Sequence, residues 1–540
     1  MATMVPRPAA TLALLRDAPG GPEVLMLQRT QSAVFLGGAY VFPGGSLDTT
    51  DTDPRVVQRV KNLPGDNPPL AYWIAAIREC YEEAGILLAC DADGQLIAPE
   101  RARALASYRN RPFIELLEEH DLYLPAGELG YVGHWVTTPG RTRRFDTRFF
   151  VALAPQGQEA AHDATETVHT LWISPHQALE RAARGEIELV YATKHTLGEL
   201  KPFAAAADAM RHVRALTDIE ENRACIALGR EGEKIFRRAD AQYYEIHWSD
   251  PEETGTTIYD LLAGEPKLLD PWVTRLIAPN PGMMTGPGTN TYIVGTESAR
   301  AVIDPGPDIA SHVEKILSFP NIKWVLCTHT HLDHSPGAAA VKAATGAKVL
   351  GQPAPAGQGQ GQDATFKPDF VLENGQRVDL GDIALRAIHT PGHASNHLCY
   401  LLERTKMLFT GDHVMQGSTV VINPPDGDMR AYLQSLEKLL AEDIAIIAPG
   451  HGYLIGAPHK ELKRLIAHRL AREAKVVNAL VKAGAATIDD LLPHVYDDVP
   501  ARLHRVAARS LTAHLEKLVA DGAVRTAGDR FALVKSRTAG

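Results

Sequence analysis

The stretch Thr328-His329-Thr330-His331-Leu332-Asp333-His334 directly follows the apolar run Lys323–Cys327. Three more donors come later in the chain: His393 in HTPGHA, Asp412 in FTGDH and His451 in APGHG. Each stands beside a glycine or proline, residues that turn the chain sharply. Loops at the ends of buried strands are favoured places for a site. His329, His331, Asp333, His334, His393, Asp412 and His451 therefore read as nitrogen and oxygen donors that converge from four loops. Such a set suits two borderline ions such as zinc. Any fold for this chain must bring those loops together. Cys327 and Cys399 lie close to donors but inside apolar strands, and read as packing residues. His389 and His397 are expected either to support the ligands or to touch substrate.

A second constellation lies in RECYEEAGI. Glu79, Glu82 and Glu83 stand at i, i+3 and i+4, which puts three carboxylates on one helical face. A divalent cation would relieve their repulsion, and hard cations prefer oxygen ligands. Upstream, Phe42-Pro43-Gly44-Gly45-Ser46-Leu47 makes a turn at which the Gly44 and Gly45 backbone can approach a ligand.

Three regions separate along the 540 residues. Residues 8–248 alternate strands with helices, residues 265–458 carry short buried strands, and residues 459–540 read as helices closed by a hairpin. A linker is expected over Ser249–Gly264, and Gly351–Asp363 is a low-complexity surface loop. The last region suggests a winged helix. Net charge is −10, which excludes a globally basic nucleic-acid binder. Five scattered cysteines, with no CxxC, argue against a disulfide framework and for a reducing, cytoplasmic setting. No apolar run is long enough to span a bilayer, so no membrane partner is expected.

The helix RECYEEAGI resembles the second half of a Nudix box, through Arg78, Glu79, Cys80, Glu82, Glu83, Gly85 and Ile86. The first half departs from that pattern, with Pro64 and Leu70 where the family has glycine and glutamate. FPGGSLD is separated from RECYEE by the insertion Thr49–Tyr72. A similar split, RRFDTRFF and TLWISPHQAL resemble the coenzyme A diphosphatase branch over Thr11–Leu200. The resemblance implies an α/β/α sandwich and magnesium or manganese held by Glu79, Glu82 and Glu83, with Glu82 catalytic. It makes Arg144 and Arg148 candidate phosphate contacts and Glu166 an outlying base or ligand.

The histidine–aspartate pattern resembles the metallo-β-lactamase superfamily over about Asn280–Tyr453, which implies a four-layer αββα sandwich. By that resemblance His329, His331 and His393 hold a first zinc ion. Asp333, His334 and His451 hold a second, and Asp412 bridges them. Asp333 and Asp412 are the expected catalytic carboxylates. The two ions would activate a shared water as hydroxide. GPGTNTYIVG, VINPPDGDM and HRLARE resemble the beta-lactamase-like endoribonuclease group, and HTPGHA is shared with hydroxyacylglutathione hydrolases. Asn290 and His397 are candidate substrate contacts.

The whole is expected to be a multidomain α/β and α+β protein, a two-site metal-dependent hydrolase. One site would take a small-molecule nucleoside diphosphate conjugate resembling coenzyme A. The other would cut single-stranded RNA or a thioester. For RNA, the helix from Lys460 presents Lys463, Arg464, His468, Arg469, Arg472 and Lys475 as a basic face. Two alternatives are a Nudix domain that binds without catalysing and a ligand-sensing winged-helix regulator. The complete donor set and the overall acidity both weigh against the regulator.

Overall fold

The computed structural model describes residues 4–31, 37–141, 143–162, 167–354 and 361–534; the expected Glu166 contact lies outside them. The chain divides into two compact units. Unit 1 holds residues 1–226 and Glu252–Thr254; unit 2 holds Ala227–Pro251 and the chain from Gly255 onward.

Unit 1 is built on an eight-stranded mixed sheet. Its strands are β1 (Arg7–Ala18), β2 (Gly21–Arg29), β3 (Tyr40–Val41), β4 (Gly44–Ser46), β5 (Gly130–Val136), β6 (Phe145–Leu153), β7 (Thr167–Ile173) and β8 (Glu221–Arg223). The main path runs β8-β5-β6-β1-β2-β3, with β4 also paired to β1 and β7 to β2. Both faces of β1 and β2 are buried, and successive side chains serve opposite cores. Leu12, Leu14, Leu25 and Leu27 pack with α1 (Leu70–Ala84), whereas Ala13, Leu15, Val24 and Met26 pack on the other side. Helix α1 stops at Gly85, whose φ of 69° closes it in the left-handed region that glycine tolerates.

The expected linker is not an open one. Helix α2 (Tyr243–Ser249) belongs to unit 2, because its Glu245 is fully buried there against Arg275 and Lys267. The expected boundary at residue 248 is corrected accordingly. Within the same segment, Glu253 returns to unit 1, where Arg144 and Arg223 hold it.

Unit 2 contains two sheets. The first runs β9 (Lys267–Asp270), β10 (Val273–Ile277), β11 (Asn290–Gly295), β12 (Arg300–Ile303), β13 (Ile322–Leu326), β14 (Lys348–Gly351) and β15 (Phe370–Val371). The second runs β16 (Arg377–Asp379), β17 (Ala384–His389), β18 (Leu398–Leu402), β19 (Met407–Gly411) and β20 (Ile446–Pro449). Their facing sides share one core that includes Tyr292, Ile303, Leu385, Tyr400 and Phe409. On the outside, α3 (Ala310–Leu317) and α4 (Gly337–Thr345) cover the first sheet, through Val313, Ile316 and Val341. The second sheet is covered by α5 (Met429–Leu440) and the first half of α6 (Pro458–Ala483), through Tyr432, Leu436, Leu462 and Leu465. The layers are therefore αββα, as expected.

The second half of α6 packs with α7 (Ile488–Val495), α8 (His504–Ala520) and the hairpin β22 (Val524–Ala527)–β23 (Arg530–Leu533), which pairs with β21 (Ala485–Ala486). This is the winged helix, and α6 is a spine shared with the sandwich. That sharing corrects the expected basic track. Arg469 and Arg472 are buried. Arg469 donates to the Val420 carbonyl, and Arg472 donates to the Val495 carbonyl and to Asp498. Arg464 is paired with Glu461, and Lys475 with Asp497. Among the described residues no helix is long and apolar enough to cross a membrane.

Candidate metal centre and carboxylate site

In unit 2, every donor loop leaves the carboxyl end of a strand: His329–His334 after β13, His393 after β17, Asp412 after β19 and His451 after β20. The donors gather in two adjacent groups, His329/His331/His393 and Asp333/His334/Asp412/His451. Within each group the donor atoms lie within 4.8 Å of one another. Asp412 faces both. Its Oδ1 is 3.4 Å from Nε2 of both His334 and His451, and its Oδ2 is 3.8 Å from His393 Nε2.

The outer hydrogen bonds fix how the rings present themselves. His393 Nδ1–H donates to the Val421 carbonyl at 2.8 Å and His451 Nδ1–H to the Gly288 carbonyl at 3.1 Å. His334 Nδ1–H donates to Asp304 at 2.9 Å. The Thr328 hydroxyl donates to Asp304 at 2.8 Å, so it accepts from His329 Nδ1–H at 3.0 Å. With Nδ1 engaged outward, Nε2 of each of these four rings is the nitrogen that faces inward, the one that would bind metal. Burial, then the neighbouring imidazoles, hold His329 well below its ordinary pKa; burial, then His393, pull His331 down to about 4. The buried His334 Nε2 and Asp412 Oδ1 have no hydrogen-bond partner. Against burial, Asp333 and Asp412 raise His334 well above its ordinary pKa and Asp412 raises His451, so those two rings hold protons that a bound cation would displace. Two facing groups of imidazoles and carboxylates with inward-facing donor atoms fit two divalent ions. His329, His331 and His393 would hold one; Asp333, His334 and His451 would hold the other; Asp412 would serve both.

Asp304 was not singled out from sequence. It is buried with a φ of 50° and accepts from the Thr328 N–H at 2.7 Å as well as from the Thr328 hydroxyl and His334. Its only signal was an aspartate ending the apolar run Ala301–Ile303, just before Pro305-Gly306.

Two expected substrate contacts stand elsewhere. The Asn290 amide is buried and donates to the carbonyls of Pro449 and Gly452, at 3.0 and 2.9 Å, so it supports the His451 loop. His397 is wholly buried behind the ligands and stacked on His329 at 5.1 Å between ring centroids. Cys327 and Cys399 are buried free thiols, as expected.

In unit 1, Arg78 organises the acidic face. Its Nε and Nη2 grip both oxygens of Asp51 at 2.9 Å, and its Nη1 donates to Glu79 at 2.9 Å and Glu82 at 2.8 Å. Asp51 comes from the insertion that interrupts the expected motif; sequence reasoning missed it. Glu83 accepts from the Gly44 N–H at 2.9 Å, and a Cβ on Gly45 would lie 2.6 Å from the Glu79 carboxylate. The glycine turn is therefore needed for close approach to the glutamates. Among the described residues the three glutamates do not form a group as close as the two in unit 2. Glu79 and Glu82 meet at Arg78, and Glu83 is anchored separately.

Arg148 lies over the Tyr72 ring at 4.7 Å, in the same cross-strand row as Ala10 and Gly45, on the α1 side of the sheet. Arg144 is not placed for a phosphate. Its buried guanidinium donates to the carbonyls of Thr137 and Met4 and to Glu253, at 3.0, 3.1 and 2.7 Å.

Burial raises the Glu79 carboxyl to about 7 against the pull of Arg78, and raises Glu82 in the same sense. A carboxyl raised on folding adds stability below its unfolded pKa and loses it as pH climbs through the folded value. Unit 1 treated with chelator is thus expected to lose that contribution between about 4.5 and about 7. Divalent cation, which needs the ionised carboxylates, should restore more stability at about pH 8 than at about pH 5. Thermal unfolding with magnesium and with chelator checks this; a stabilisation by magnesium that shrinks as pH rises would refute it.

Comparison with known proteins agrees with this geometry. Residues 284–451 match the Metallo-beta-lactamase superfamily, residues 487–532 the Beta-lactamase associated winged helix domain, and residues 56–193 the NUDT19 Nudix domain. An atrochrysone carboxyl ACP thioesterase from Aspergillus fumigatus is 32% identical over 44% of this chain and 77% of that protein. A beta-lactamase-like protein 2 homolog from Drosophila melanogaster is 31% identical over 47% of this chain and 89% of that one. Among solved structures, a NUDIX hydrolase from Alicyclobacillus acidocaldarius is 31% identical, covers 38% of this chain and 96% of its own, and has a TM-score of 0.35. The donor loops of unit 2 lie within or at the edge of the matched stretch, and the relatives extend the match over most of their own length: the chain is a hydrolase that belongs to the metallo-beta-lactamase superfamily, joined to a Nudix domain.

Proposed function

We propose that the two sites act on the two labile linkages of one class of compound, an acyl thioester of a diphosphate-containing carrier thiol such as coenzyme A. The observation that carries this is the presence, on one chain, of a thioesterase-like donor cluster and a Nudix carboxylate face. Relatives named as thioesterases favour the thioester at the central site. The burial of Arg469 and Arg472 takes two of the expected basic residues off the surface of α6, which weighs against RNA.

When bound, the two divalent ions, zinc by the donor set, supply Lewis acidity and a nucleophile at neutral pH. The chain's part is to hold the donor rings in one tautomer through Val421, Gly288, Asp304 and Thr328. Asp412 and Asp333 balance the charge there. In unit 1, Glu79, Glu82 and Glu83 would hold magnesium or manganese against the diphosphate, with Arg148 as the phosphate contact.

The test is a substrate panel on the full-length protein, with zinc and magnesium varied separately. It holds acyl-coenzyme A, an acylated carrier protein, an acylglutathione, free coenzyme A and single-stranded RNA. Zinc-dependent release of free thiol and magnesium-dependent splitting of the diphosphate into two phosphomonoesters are expected. Cleavage of RNA with no thiol released from any thioester would sink the reading.

A further inference from the structure

Residues Ala227–Pro251 lie outside all three matched stretches, yet they pack in unit 2 against the loops that carry His451 and Asp412. Glu245 on α2 is fully buried. Its carboxylate accepts a two-pronged pair from Arg275, one prong at 2.8 Å, and a bond from Lys267 at 2.7 Å. It also accepts from the Leu454 N–H at 3.1 Å, three residues beyond His451. Arg275 reaches on to the Gly452 carbonyl at 3.4 Å. Gln242 donates to the Tyr453 hydroxyl at 3.3 Å, and that hydroxyl donates to the Tyr259 carbonyl at 2.9 Å. Gln416, four residues after Asp412, donates to the Ala241 carbonyl at 3.1 Å and accepts from the Tyr453 N–H at 3.3 Å. The Tyr244 ring fills the space over Gly456, where a Cβ would lie 1.9 Å from it.

A buried ion pair is weak evidence for stability alone, since apolar residues of like volume often serve as well. Here the polar groups are directed at the backbone between Gly452 and Leu454 and at the loop after Asp412. The metal-facing rings depend on such outer contacts for their orientation.

We propose that the segment Ala227–Pro251 is a positioning element of the metal centre, in which Glu245, through Arg275 and Leu454, and Gln242, through Tyr453, set the His451 loop so that the Asp333/His334/Asp412/His451 group closes. The inference rests on the two-ion reading of that site. It makes the stretch between the two hydrolase domains part of the second one, so a cut after residue 248 would sever α2 from the loop it holds.

The test titrates Zn2+ into the metal-depleted full-length chain against a chromophoric chelator. Wild-type protein should take two ions. Glu245→Gln and Tyr453→Phe should each weaken one of them by about 10-fold or more, in the range seen when outer-contact residues are removed, and leave the other unchanged. His451→Ala should remove that same ion, and adding Glu245→Gln to it should not weaken the remaining one further. A purely structural role would instead lower the melting temperature with both affinities kept. If Glu245→Gln does not fold, Tyr453→Phe, which removes only a hydroxyl, decides. Wild-type affinity for both ions in Tyr453→Phe and in any folded Glu245→Gln overturns the proposal. Failure of the wild-type chain to bind zinc overturns the metal reading, and the positioning role with it.

Discussion

Asp412→Ala is expected to lower kcat/KM at the central site by roughly 10^3-fold or more, the loss that follows when several kcal/mol of metal-derived stabilisation disappear. Asp412 is the carboxylate whose two oxygens face different donor groups, Oδ1 toward His334 and His451 and Oδ2 toward His393. The pocket leaves no slack around it: a Cβ on the neighbouring Gly450 would lie 2.7 Å from Asp412 Oδ1. Burial opposes its charge, but His451 and His334 outweigh burial and hold its pKa well below the usual carboxylate range. Removing it therefore takes away a ligand from both groups and the anion that balances their rings. Asp333→Ala touches only the second group and should spare one ion. Metal analysis should find the first ion retained in Asp333→Ala and both weakened in Asp412→Ala, with the magnesium-dependent activity of unit 1 unchanged. Two tightly held ions and near-normal thiol release in Asp412→Ala would refute the bridging role.

The donors were legible because their signal is local. HxHxDH and three glycine- or proline-flanked donors mark strand ends without reference to a partner strand. Asp304 was not legible, since an aspartate before Pro-Gly is an ordinary turn. Its role appears only when β12 and β13 pair in parallel, with Ile303 opposite Leu326, which brings Asp304 beside Thr328. Asn290 was read as a substrate contact because it stands in a glycine-rich motif; pairing of its strand placed it instead against the loop after β20. The α6 helix failed for a different reason. Spacing puts Arg469 and Arg472 on a helical face but does not say whether that face meets water or a neighbour. Here it meets the loop that carries Val420, the C-terminal end of α7 at Val495, and Asp498 just beyond it. The stretch after residue 248 looked like a linker because it lacks an apolar period, yet its neighbour α2 is tied into unit 2 both by the buried Glu245 pairs and by the buried Tyr243 and Ile246.

The same limit applies to the Nudix half, where the insertion hid the buried Asp51 that pairs with Arg78. Arg78→Met is expected to destabilise unit 1 by about 3–5 kcal/mol, the usual cost of breaking a buried pair. Asp51 is 0% exposed and accepts from both Arg78 Nε and Nη2, so the change leaves a buried carboxylate without its cation. Glu79 and Glu82 lose their shared donor at the same time. Burial already raises both, so without Arg78 they resist ionisation further, and magnesium should bind more weakly. The loss is large beside the ~5–15 kcal/mol that holds a domain together. Denaturant unfolding of the full-length protein, followed through the transition of unit 1, measures it. Asp51→Asn added to Arg78→Met should recover part of the loss, because the orphaned charge is then gone. Removal of Arg78 at a cost under about 1 kcal/mol would place the pair among surface-like salt bridges and deny it the organising role. Recovery by Asp51→Asn without return of magnesium binding would separate the two functions of Arg78: holding the insertion in place, and presenting Glu79 and Glu82 to the cation.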